Sequence, residues 1–115
     1  MIEKRLPLRW EGSSKKDFMA FPLSVQKDLG VALFVVQLGR TPLSAKLWKG
    51  LGAGVYELVD DHRGDTFRAV YAVNIGDAVH VLHAFQKKSK SGIATPKSEV
   101  DLIEKRLKAV LARYR

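Results

Sequence analysis

Val79-His-Val-Leu-His-Ala-Phe-Gln-Lys-Lys-Ser-Lys90 decides how the rest of this chain is read. Its first half has strand character: Val79, Val81, His83 and Phe85 share one face, and His80, Leu82 and Ala84 share the other. Its second half gathers Lys87, Lys88 and Lys90. A strand that carries a histidine and three ammonium groups to one end of a sheet suits a phosphate. The same lysines suit a hydrophobic edge guarded against aggregation.

Upstream, two more strands lead into this one. Asn74-Ile-Gly-Asp77 is a tight turn, and Thr66 to Val73 forms the preceding strand, with Phe67, Ala69, Tyr71 and Val73 opposite Arg68, Val70 and Ala72. Asp60-Asp-His-Arg-Gly-Asp65 is read as a polar hairpin loop, and Val55-Tyr-Glu-Leu-Val59 as the strand before it. Three strands joined by short polar turns make an antiparallel meander. Downstream, Thr95 caps and Pro96 opens a last helix, whose Val100, Ile103, Leu107, Val110, Leu111 and Tyr114 recur at helical spacing.

The N-terminal half supplies the cover for the other face. Leu6 to Trp10 is a short strand, and Pro7 argues for a sheet edge or for the strand's start. Ser14 and Asp17 have capping-box spacing for a short helix that Pro22 interrupts. Pro22 then opens a second helix to about Leu38, with Gly39 as its stop. Val31 to Leu38 is β-branched enough to be a buried strand, but the sustained 3.6-residue period from Leu23 favours helix. The two helices are expected to pair as a hairpin. Gly39 to Leu43 is a loop. Lys46-Leu-Trp-Lys-Gly-Leu-Gly-Ala-Gly54 is too rich in glycine for a strand interior and does not match a P-loop, so it reads as a turn or bulge. The order β-α-α-β-β-β-α describes an α+β protein with a largely antiparallel sheet, in a single domain over residues 1–115.

Composition narrows the partners. The 115 residues hold no cysteine, so disulfide and thiol chemistry are excluded, and a reducing cytoplasmic setting is expected. No apolar run approaches the roughly 18 residues of a membrane helix. The net charge is +8. From Gln86 to Arg115 nine lysines and arginines face three carboxylates, which concentrates the excess in the last quarter. Such a field favours a polyanion, with a membrane surface the weakest option because no basic aromatic helix is in view. Three scattered histidines do not make a metal site, and His62 and His80 read as surface residues. No cofactor is called for.

Trp10-Glu-Gly-Ser-Ser14, Phe21-Pro22, Leu38-Gly39, Gly54-Val-Tyr-Glu-Leu58, Phe67-Arg68 and His83-Ala-Phe-Gln-Lys-Lys-Ser89 occur in one collinear order. Together they resemble the phage-derived branch of the RelE/HigB superfamily of type II toxins. The resemblance implies a small RelE-like domain. It implies an endoribonuclease that cleaves mRNA, often on the ribosome, and is neutralised by a cognate antitoxin. In the HigB branch the antitoxin is a helix-turn-helix protein, and operator DNA is reached only through it. Related scaffolds include ParE-like inhibitors of gyrase, and a degenerate toxin would be left as a basic RNA- or partner-binding domain.

Metal-free RNA cleavage uses the 2′-OH as nucleophile and needs a base, an acid for the 5′ oxygen and cations around the phosphorus. The matching positions assign phosphate stabilisation to Arg68, Lys87 and Lys88. His83 is either the acid or base or a satisfied core histidine. Lys46, Lys49, Arg63, Lys90, Lys105 and Arg106 are the candidates for holding RNA. The family often carries an arginine where this chain has Val59, and Arg63 in the following turn is the candidate substitute.

Overall fold

In the computed structural model, which describes residues 4–52, 54–87 and 95–114, Val79 to Lys87 of the quoted stretch form an inner strand of a five-stranded sheet. The strands are β1 (Leu8–Trp10), β2 (Ala45–Leu47), β3 (Val55–His62), β4 (Asp65–Ile75) and β5 (Ala78–Lys87), in the order β1-β5-β4-β3-β2. β1 runs parallel to β5, and every other pairing is antiparallel. The helices are α1 (Ser14–Met19), α2 (Leu23–Gln37) and α3 (Lys97–Arg113). None is long and apolar enough to cross a membrane among the described residues.

Strand alternation sorts the core into two layers. Leu58, Phe67, Ala69 and Tyr71 face α1 and α2, where Phe18, Phe21, Val25, Leu29 and Leu33 are buried. Val55, Val70, Ala72 and Leu82 face α3 and its Ile103, Leu107 and Val110. Each fully buried aliphatic side chain contributes about 1.5–3 kcal/mol relative to exposure, so both faces are bound to their helices by the same force. α2 ends as its glycine predicts: Gly39 has φ 84°, its N–H reaches Val36 O, and the Arg40 N–H reaches Val35 O, a Schellman closure.

Several local readings change. The polar stretch 60–65 is strand almost throughout, because His62 pairs with Asp65 and only Arg63-Gly64 turns. Both turn residues have positive φ (52° and 85°), the type I′ geometry whose twist matches that of the flanking strands. Ala45–Leu47 is a short edge strand on β3, where the sequence suggested a turn or bulge. The glycines begin only after it. Ser14 does not cap α1: it is buried, and its hydroxyl donates to Val81 O at 3.1 Å, while Ser13 holds the cap position and bonds Asp17. Pro22 and Pro96 are cap residues, one position before the first helical turn. α1 is only six residues long, and Gln26 joins it to α2 by donating to Met19 O and Phe21 O.

The alternation in β5 breaks once. Val70 pairs with His83 but Tyr71 pairs with Val81, so β5 carries one extra residue at Leu82. This bulge turns the strand's second half over. Val79 and Val81 pack in the α1–α2 layer, whereas His83 meets α3 side chains and stacks on Phe85 at 4.9 Å. The four residues expected on one face are therefore split between two.

His80 is the larger correction. It is fully buried, with Nδ1 3.3 Å from Glu11 Oε2 and Nε2 2.8 Å from Ile75 O. Glu11 in turn accepts from Arg113 at 2.7 Å. A buried imidazole must have its nitrogens satisfied, and here they join the end of β1, the β4–β5 corner and the end of α3. Tyr114 packs edge-on against the same ring.

Candidate functional site

α3 packs on β4 and β5, and among the described residues part of the same sheet face toward β2 and β3 borders a groove. The two-residue turn fixes what occupies that face. Lys46 lies opposite Glu57, Val59 opposite Arg68, Arg68 opposite Phe85, and Thr66 opposite Lys87. Beside these rows is a groove of about 580 Å³ lined by Lys46, Trp48, Lys49, Glu57, Thr95 and Val100. Trp48 is buried in the α3 layer, while Lys46 and Lys49 are exposed.

Arg68 and Glu57 form the polar centre of this face. Arg68 Nη1 donates to Glu57 Oε1 at 2.6 Å, and the side chains are 17% and 14% exposed. A pair this sheltered is screened little by water or salt and is held in one geometry. Arg68 Nε is buried without an acceptor among the described residues. Such an orphan donor costs free energy in most folds, and sites of function are where it is tolerated. The arginine is therefore held by the sheet and by one carboxylate, with Val59 and Phe85 flanking it across the strands.

His83 belongs to a different set of contacts. Arg106 Nη1 approaches its Nδ1 at 3.3 Å, which makes Nδ1 the acceptor and leaves the proton on Nε2, facing Glu99 Oε2 at 3.0 Å. The ring is 5% exposed. Burial pushes its pKa below the ordinary histidine value, Glu99 works against that shift, and the Arg106 charge adds to it. Neutral, sheltered and bonded at both nitrogens, His83 has the surroundings of a structural histidine.

The remaining candidates separate by location. Lys87 ends β5 about 7 Å beyond Phe85 along the strand, two residues at strand rise. Lys88 and Lys90 lie outside the described residues. Arg63 sits at the hairpin tip, about 13 Å along β3 from Val59, so it does not take the place of an arginine at position 59. Lys105 is exposed on α3. Arg106 points inward instead, donating to Leu82 O at 2.9 Å and Ser13 Oγ at 3.0 Å as well as approaching His83, so its guanidinium is a structural tie. Among the described residues no group of three or more His, Cys, Asp or Glu side chains converges as a metal site.

Sequence reasoning missed Glu57. The signal was present in Arg63-Gly64: a two-residue turn there places Val59 opposite Arg68 and Glu57 one step diagonal to it. Reading a six-residue loop removed the register, and the carboxylate with it.

The family described as phage-derived protein Gp49-like matches residues 16–108. A chain of the RelBE2 toxin–antitoxin complex from Mycobacterium tuberculosis is similar over 74% of this chain and 94% of its own, with 20% identity and a TM-score of 0.47. No curated protein matches.

Proposed function

Because this chain belongs to the phage-derived Gp49-like family, a branch of the RelE-like toxins, we propose that it is an mRNA-cleaving toxin held in check by a cognate antitoxin. The observation that carries the reading is the sheltered Glu57–Arg68 pair, whose carboxylate lines a groove beside the exposed Lys46 and Lys49.

RNA cleavage by transesterification asks little of a protein. The 2′ oxygen loses a proton and attacks phosphorus, the bond to the 5′ oxygen breaks, and that oxygen gains a proton. Glu57 is the carboxylate that accepts the first proton. Arg68 shares its guanidinium between Glu57 and the phosphate oxygens, and Lys46, Lys49 and Lys87 balance the charge that grows on them. A lysine ammonium supplies the proton for the departing 5′ oxygen. His83 holds Glu99 and α3 and takes no proton from the substrate. Lys105 and the other exposed cations of α3 add the field that draws RNA or a ribosome in. The antitoxin is a helix-turn-helix protein, operator DNA is bound only through it, and the work is done in the cytoplasm.

Induction in cells followed by mapping of RNA 5′ ends tests the reading. New ends within messages, absent for Arg68→Ala at equal expression, are expected. Growth arrest with intact messages, and inhibited gyrase instead, would overturn it.

A further inference from the structure

The outer edge of β5 is paired for only part of its length. β1 covers Val79, Leu8's partner, through Val81, and Arg106 caps the carbonyl of Leu82. From His83 to Lys87 no strand adjoins this edge among the described residues. An uncovered edge of this kind is a template for another strand unless something blocks it.

α1 packs along β5 as well, and a space is left beside the strand beyond the end of that helix. A cleft of about 570 Å³ runs along Ala84, Phe85 and Gln86, between the end of α1 and the start of α3. Its size is that of an ordinary ligand site, roughly 300–1,000 Å³. Phe21 and Phe67 give it apolar walls, whereas Asp17, Asp65 and Glu99 bring three carboxylates to its rim. No lysine or arginine lines it among the described residues, on a chain whose net charge is +8. The described lining of the cleft is thus acidic on a basic chain.

We propose that this cleft docks an extended, basic peptide segment of a partner protein, which adds to the sheet as a strand beside Ala84–Gln86. Backbone bonds to the open edge provide affinity, and alternate side chains provide selectivity. Apolar residues of the segment turn toward Phe21 and Phe67, and the intervening lysines or arginines meet Asp17, Asp65 and Glu99. The groove around Lys46, Lys49 and Glu57 lies at the other edge of the sheet, so the inference stands apart from the ribonuclease reading.

Two synthetic nine-residue peptides test it, one alternating lysine with valine and the other glutamate with valine. Each is titrated into the isotope-labelled full chain while backbone amides are followed by NMR. The lysine peptide is expected to shift Ala84, Phe85 and Gln86, and the glutamate peptide to leave them in place. Combining Asp17→Lys with Asp65→Lys should weaken the lysine peptide at least tenfold. If the double variant does not fold, Asp65→Lys alone, at an exposed strand start, should weaken it several-fold. Equal binding of both peptides, shifts confined to the Lys46–Lys49 groove, or indifference to the reversed charges would each overturn the proposal. Lys49→Ala, at the far side of the sheet, should leave peptide binding unchanged, so failure of the ribonuclease reading would not disturb this result.

Discussion

Arg106 and His83 are joined across 3.3 Å, with the guanidinium of α3 donating to Nδ1 of the imidazole in β5. That one contact sets the ring's tautomer, aims its remaining proton at Glu99, and turns a basic residue away from any polyanion. Arg106→Ala is therefore expected to cost about 1–3 kcal/mol of stability, the scale for leaving buried partners unsatisfied. Lys105→Ala should stay within about 0.5 kcal/mol, as an exposed change does. Urea unfolding of the two variants separates them, and equal losses would contradict the inward role of Arg106.

His83 gives the protein a signed pH dependence. Its folded-state pKa lies below the ordinary value because of burial, so the unfolded chain binds the proton more readily. The stabilisation is complete above the unfolded pKa, about 6.5, and is lost as pH falls toward the folded value. The slope from this group is at most about 1.4 kcal/mol per pH unit. His83→Gln should reduce the acid-side slope seen in urea midpoints between pH 7.5 and 5. Cleavage normalised to folded protein should keep its pH profile. A lost kinetic limb in that variant would instead make His83 the acid or base.

Arg68 should separate chemistry from folding. Arg68→Ala is expected to lower single-turnover cleavage by roughly a hundredfold or more, the scale for one electrostatic stabiliser. It also leaves Glu57 half-buried without its partner, so stability should drop by about 1–3 kcal/mol. Rates must be taken on the folded fraction. Glu57→Gln should slow cleavage while keeping a hydrogen-bond acceptor for Arg68, and full activity in that variant would remove the carboxylate from the mechanism.

Lys46 and Lys49 are expected to act on binding. Replacing both by alanine should weaken single-stranded RNA and lower the log–log salt slope by about 1.4, at roughly 0.7 per phosphate contact. Filter binding across a salt series measures it. An unchanged slope would place the RNA elsewhere.

Gly76 is fitted to Tyr114. Its φ is 62°, and a Cβ there would lie 2.0 Å from the tyrosine ring. Gly76→Ala should destabilise by about 1–3 kcal/mol through backbone strain and a displaced ring. Tyr114→Ala in the same chain should recover the steric share alone, which a double-mutant cycle in thermal unfolding resolves.

The sheet, the last helix and the Gly39 stop were legible because each rests on a local pattern: period two, period 3.6 and a left-handed glycine. The β4 faces were read correctly from alternation. What failed was whatever depends on a single residue of register. The bulge at Leu82 has no compositional mark, so alternation carried His83 to the wrong face. His80 looked like a surface residue because Glu11, which shares its burial, and Arg113, which holds Glu11, lie 69 and 33 positions away in the chain. Arg106 resembled its neighbour Lys105 for the same reason: helical spacing gives a face, but only the packing says which cation is enclosed.

The bond between Glu11 and Arg113 spans nearly the whole chain, and β1 is held by β5 some seventy residues later. A growing chain cannot make the first contact before Arg113 is added, nor the second before Val79 to Val81 are. The α3 layer, with one wall of the groove, rests on contacts of this long range. Loop closure over that length is slow compared with helix or hairpin formation. A chain cut short before α3 therefore lacks Val100 and the wall it gives that groove.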